Sequence, residues 1–186
     1  MKYKEIEGNL ITLALDGEFD VIAHGCNCFC TMGAGLAPQM AKAFGCDLFP
    51  LENSIYKGDI NKLGQIDYEV LLREPLGDGD VVLPDEKVTL NNWKSIYPFA
   101  RFALAVVNCY SQYGFGINHK EGSVAPLDYA ALELCFKKMN HIFQGKHIGL
   151  PQIGCHLAGG DWNIVKSMIQ KEFKDCTVTV VIFNNK

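Results

Sequence analysis

This 186-residue chain has no run of apolar residues long enough to span a bilayer, which leaves no basis for a membrane helix. Lys2, Lys4, Glu5 and Glu7 are followed by no hydrophobic signal segment, so a cytoplasmic location is the expectation. A surplus of positive charge is also missing. Lys and Arg number 17 against 21 Asp and Glu, a formal net charge of -4, so no extended surface for a nucleic-acid backbone is expected. A small anion is a different matter, because backbone N–H groups can supply the field that side chains do not. Internal repeats and low-complexity tails are absent. His24, Cys26, Cys28 and Cys30 do not follow the separated Cys-x-x-Cys spacing of zinc sites, so neither a metal nor a cofactor is expected. The 8 cysteines fit reduced thiols, since 48% hydrophobic content gives a single domain of this length a sizeable core without disulfide staples.

What the chain does have is glycine, 18 residues, gathered in two loops. The first runs from His24-Gly25-Cys26-Asn27 to Gly33-Ala34-Gly35, and the second is Gly154-Cys155-His156-Leu157-Ala158-Gly159-Gly160. Each follows a strand-like run and leads into a helix-like one, where an α/β protein collects backbone N–H groups for phosphate. Two such loops suit a ligand with more than one anionic group. Val21-Ile22-Ala23, Phe102 to Cys109, His147 to Leu150 and Val178 to Phe183 read as strands. Leu36, Met40 and Phe44 mark a helix after the first loop; Leu127, Ala131, Leu134 and Met139 mark one after Pro126. Val165, Ile169 and Phe173 mark a third, which Asp161 can cap ahead of Trp162. Repeated strand, loop and helix units predict a three-layer α/β/α domain with a mixed central sheet. The Gly- and Pro-rich stretch around 65–94 reads as an insertion with turns and a hairpin.

Gly8-Asn9-Leu10, Ala23 to Asn27, Met32 to Ala37, Val107-Asn108-Cys109 and Leu150 to Trp162, taken in order, resemble the macrodomain family. The closer resemblance is to the branch with ADP-ribose 1''-phosphate phosphatases and terminal ADP-ribose glutamate hydrolases. It implies an ADP-ribose cleft at the carboxyl ends of the central strands. The implied binding residues are Asn9, Leu10, Asn27, Gly33, Ala34, Gly35, Pro151, Gly154, Cys155, His156, Leu157, Ala158 and Gly159. Asn9 stands where family members carry an acidic residue that accepts from the adenine amino group. The Gly33 loop would clasp the distal ribose and the Gly154 loop the diphosphate.

His24, Asn108 and Asp161 are the candidate catalytic residues, His24 and Asp161 for proton transfer and Asn108 for orienting the distal end. Each has a structural alternative: His24 and Asn108 as satisfiers of local polarity, Asp161 as a helix cap. His156, inside the second loop, is a third candidate, able to stabilise an anionic oxygen when protonated; the alternative is a side chain that points to solvent. The glutamate-hydrolase branch resembles this chain less, since Asn108 to Gln112 contains no lysine and Ala158 stands at the expected acid. The favoured expectation is hydrolysis of the terminal phosphate of ADP-ribose 1''-phosphate. A noncatalytic ADP-ribose reader and a hydrolase removing ADP-ribose from protein or nucleic acid are the alternatives.

Overall fold

The computed structural model describes residues 2–50, 57–73, 81–82, 84, 88–116 and 125–183. The strands are β1 (Lys2–Glu7), β2 (Val21–Asn27), β3 (Ile66–Arg73), β4 (Val81–Val82), β5 (Phe102–Gln112), β6 (His147–Leu150) and β7 (Thr177–Ile182). They form one sheet in the order β1-β7-β6-β2-β5-β3-β4. From β1 to β5 the neighbours are parallel; β3 and β4 join antiparallel. Helices α1 (Leu10–Leu15) and α2 (Ala37–Phe44) cover one face, while α4 (Tyr129–Ile142) and α5 (Trp162–Glu172) cover the other; α3 (Trp93–Ile96) is a short turn.

Strand β5 shows why the sequence makes three layers. Ala103, Ala105, Val107 and Cys109 pack with Leu132, Phe136 and Met139 of α4, whereas Leu104 and Val106 pack with Met40 and Phe44 of α2. A strand buried on both faces needs apolar residues at successive positions, which is how 103–107 reads. The stretch 65–94 differs from its reading as an insertion. Its residues 66–73 are β3, paired with β5 along eight positions and therefore part of the central sheet. Of the remaining hairpin expectation, Val81 and Val82 pair with Arg73 and Leu72, and residues 74–80, 83 and 85–87 lie outside the described set.

A polar row crosses the sheet. His24 on β2 lies opposite Asn108 on β5, which lies opposite Asp67 on β3. Asn108 Nδ2 donates to Asp67 Oδ1 (2.7 Å) and to the Cys46 carbonyl (2.9 Å), so its Oδ1 must accept from His24 Nε2 at 2.8 Å. That assigns the Nε2–H tautomer to His24. Tyr110 completes the row, its hydroxyl donating to Asp67 Oδ2 at 2.5 Å. His24 and Asn108 are both buried. Burial pushes the His24 pKa down from 6.5 to about 4, against the smaller upward pull of the Asn108 bond.

Folding therefore holds His24 neutral, while the unfolded chain takes up its proton below about pH 6.5. Stability from this group is full above that pH, is lost as pH falls toward about 4, and changes no further below it. The total is on the order of 3 kcal/mol. In denaturant titrations at a series of pH values, His24→Gln is expected to flatten the loss between pH 6.5 and 4; an unchanged slope would show that His24 does not titrate with folding.

Candidate functional site

The parallel strands direct their carboxyl ends to one edge, and the turns leaving β1, β2, β5 and β6 collect there. Ligands of open α/β sheets bind at this edge. The two glycine loops meet at it: a methyl group on Gly35 would lie 3.2 Å from Leu157 Cδ1. Leu157 is 70% exposed, so this apolar contact crosses the gap in solvent rather than filling the core. Gly33, Ala34 and Gly35 are exposed as well. The backbone N–H groups of Gly33 to Leu36 and of His156 to Ala158 donate to no described residue. Two sets of donors without described acceptors, on loops that approach each other at Gly35 and Leu157, suit anionic oxygens.

The second loop has its shape from local sterics. Pro151 accepts from Ile153 N–H at 2.7 Å, a tight turn that starts the loop, and Gly160 N–H returns to the Gly154 carbonyl at 2.8 Å. Gly154 and Gly159 have φ of 77° and 73°, the left-handed region that glycine adopts without a Cβ clash. A Cβ on Gly160 would lie 2.4 Å from Leu127 Cδ2 and 2.7 Å from the Gly154 oxygen, so only bare backbone fits there. Ala158 is buried, and its carbonyl accepts from Leu127 N–H, fastening the loop to the start of α4. Cys155 donates to the Ile153 carbonyl, and burial pushes its thiol up to about 11. His156 is exposed and free of side-chain partners among the described residues.

The predicted ligand residues at the other turns are more committed to the fold. Asn9 caps α1: its Oδ1 accepts from Ile11 N–H at 2.9 Å and Thr12 N–H at 3.2 Å. The oxygen assigned to adenine is thus occupied, and Nδ2 is the group left for a ligand. Leu10 is buried in the α1/α2 layer. Asn27 folds its amide over the first loop, donating to the Thr31 carbonyl and accepting from Phe29 and Thr31 N–H. It shapes the loop that was expected to receive the distal ribose.

The catalytic candidates divide into two groups. His24 and Asn108 come together, but inside the sheet, where burial keeps the imidazole neutral and its Nε2–H is engaged. Asp161 is elsewhere, exposed at the N-terminus of α5, with Oδ1 accepting from Asn163 N–H at 2.7 Å and its own N–H donating to the Tyr129 hydroxyl. No hydrogen bond or shared partner joins it to His24 among the described residues. The expected His24–Asp161 pair therefore does not form here: three further residues of β2 after His24 carry the chain to the edge, leaving the imidazole below it.

Sequence reasoning passed over Asp67, Tyr110 and Lys62. Burial raises the Asp67 pKa, opposed by its bonds from Tyr110 and Asn108 and by the charge of Lys62. The Lys62 ammonium lies 4.7 Å from the centre of the Tyr110 ring. For Asp67 and Tyr110 the available signal is polar character inside a strand-like stretch, though only the β3–β5 pairing reveals that they meet. No group of three or more His, Cys, Asp or Glu is placed to hold a metal ion among the described residues, and no described helix is long and apolar enough to cross a membrane.

No family model matches the chain. It is 28% identical over 186 residues to an uncharacterized protein from the tk-vs intergenic region of Enterobacteria phage T4, covering 97% of this chain and 96% of that protein. Among solved structures it is similar to the macrodomain of Mycobacterium tuberculosis DarG, with a TM-score of 0.60 and 15% identity over 96% of both chains. It is also similar to Thermosipho africanus DarTG in complex with ADP-ribose, with a TM-score of 0.60 and 12% identity over 98% of this chain and 42% of that one. The mixed α/β sheet, its two helical layers and its loop edge are those of the macrodomain fold.

Proposed function

We propose that this chain binds ADP-ribose across the carboxyl edge of its parallel strands and hydrolyses the terminal phosphate of ADP-ribose 1''-phosphate, releasing ADP-ribose and phosphate. The observation that carries the reading is the meeting of the two glycine loops, Gly35 against Leu157, each bringing backbone N–H groups with no described acceptor. A ligand with separated phosphates satisfies both sets. The macrodomain fold supports the same reading, and DarTG of that fold has been solved with ADP-ribose. Eight free cysteines suit a reducing cytoplasm as its setting.

For the reaction, His156 on the second loop and Asp161 at the start of α5 are the accessible candidates. Asp161 Oδ1 holds the helix cap, and Oδ2 remains to activate water for attack on phosphorus. The P–O bond to the sugar breaks, and His156 supplies the proton to the departing oxygen. His24 and Asn108 act from beneath, holding the Cys46 carbonyl and the packing under α2. One observation favours a noncatalytic ADP-ribose reader instead: the histidine expected to transfer protons is sealed in the sheet.

Calorimetry is expected to show ADP-ribose binding that Gly35→Val reduces about tenfold or more, because the side chain meets Leu157 and opposes the positive φ. Purified protein is expected to release phosphate from ADP-ribose 1''-phosphate. Tight binding without phosphate release selects the reader, whereas release of ADP-ribose from modified protein or nucleic acid selects that hydrolase.

Asp161→Asn preserves an oxygen for the cap and is expected to lower turnover about 100-fold with binding retained. Asp161→Ala is expected to cost about 1 kcal/mol of stability in denaturant titration. Unchanged turnover in Asp161→Asn leaves Asp161 as a cap only.

A further inference from the structure

We propose that Ser111 is a ligand-binding residue, its hydroxyl donating a hydrogen bond to an oxygen at the distal ribose-phosphate end of the bound nucleotide. The inference rests on the ADP-ribose reading and names a contact within that site.

Ser111 is fully buried, and its Oγ has no hydrogen-bond partner among the described residues. A buried hydroxyl left unpaired costs about 1–3 kcal/mol, which a ligand oxygen supplying the missing partner would recover. The polar row shows the contrast: His24, Asn108 and Asp67 satisfy one another.

The strand pairing explains how the hydroxyl is aimed. Cys26 lies opposite Tyr110 and Asn27 opposite Gln112, so Ser111 is the extra residue of a bulge where β5 reaches the loop edge. Bulges redirect a side chain and occur often beside active sites. Ser111 is also fixed through its backbone, since its carbonyl accepts from Asp128 N–H at 2.9 Å and Gln112 bridges to Leu127. The side chain faces Gly25 of the first loop's strand and Ile153 at the start of the second. A methyl at Gly25 would lie 3.1 Å from Ser111 Oγ and 3.5 Å from Ile153 Cγ1. The hydroxyl therefore stands between the roots of both glycine loops.

Ser111→Ala tests this with two ligands, ADP-ribose and ADP, which lacks the distal ribose. Calorimetry is expected to show ADP-ribose bound about tenfold more weakly by the variant and ADP bound unchanged. Thermal unfolding without ligand is expected at the same or a higher temperature, because no existing bond is lost. Gly25→Ala, which presses a methyl toward Oγ, is expected to weaken ADP-ribose selectively as well. Unchanged ADP-ribose affinity in Ser111→Ala overturns the contact, as do equal losses for both nucleotides or a lowered unfolding temperature. If the parent protein binds neither nucleotide, the ADP-ribose reading itself fails and the contact fails with it.

Discussion

The hydrogen-bonded row His24–Asn108–Asp67 is the constraint on which the placement of the loops depends. A buried polar group is tolerated when its partners are present and is expensive when they are not. Here three strands must stand in one register for the three side chains to meet. A shift of β2 by one residue would turn His24 to the α4/α5 face, among Met139 and Phe136, and leave Asn108 Oδ1 without its donor. The same Asn108 amide holds the Cys46 carbonyl, so the turn after α2 is tied to the sheet by the bond that sets the strand register. Packing alone would permit more than one alignment of Val- and Ala-rich strands. The polar row does not.

Much of this architecture was legible in the chain. His147 to Leu150 and the helix beginning at Trp162 have the bounds that their apolar runs and the Asp161 cap indicate. Strand β2 was legible only in its first half, because Gly25 and Asn27 have little preference for strands, and so His24 was read at the strand end rather than within it. Strand β3 was obscured for a related reason. Asp67, Tyr68 and Glu69 interrupt the apolar pattern, and Asp67 is polar because its partners on β5 are polar. That reason lies about 40 residues away in sequence, beyond any local pattern. For the site, the glycines were legible and the proton-transfer residues were not: a loop's conformation is written locally, whereas the depth of His24 follows from how long β2 runs.

An acidic chain can offer an anion site because the field comes from the backbone. Gly35, Gly154 and Gly159 adopt positive φ, and in their loops the N–H groups of Gly33 to Leu36 and of His156 to Ala158 have no acceptor among the described residues. Neither loop needs a lysine or arginine for this, so a net charge of -4 is compatible with a site for a single phosphate.

Backbone donors have one weakness: they hold any anion of suitable shape. Discrimination must come from groups whose bonds are made with one ligand and lost with another. Asn27, the side chain most naturally placed for that task, spends its amide on Thr31 and Phe29. Asn9 spends its oxygen on the α1 cap. The bulged Ser111 is a buried side chain at the edge whose hydroxyl has no partner among the described residues. With the Asn27 amide and the Asn9 oxygen committed to their own turns, selectivity for the distal end falls to the Ser111 hydroxyl.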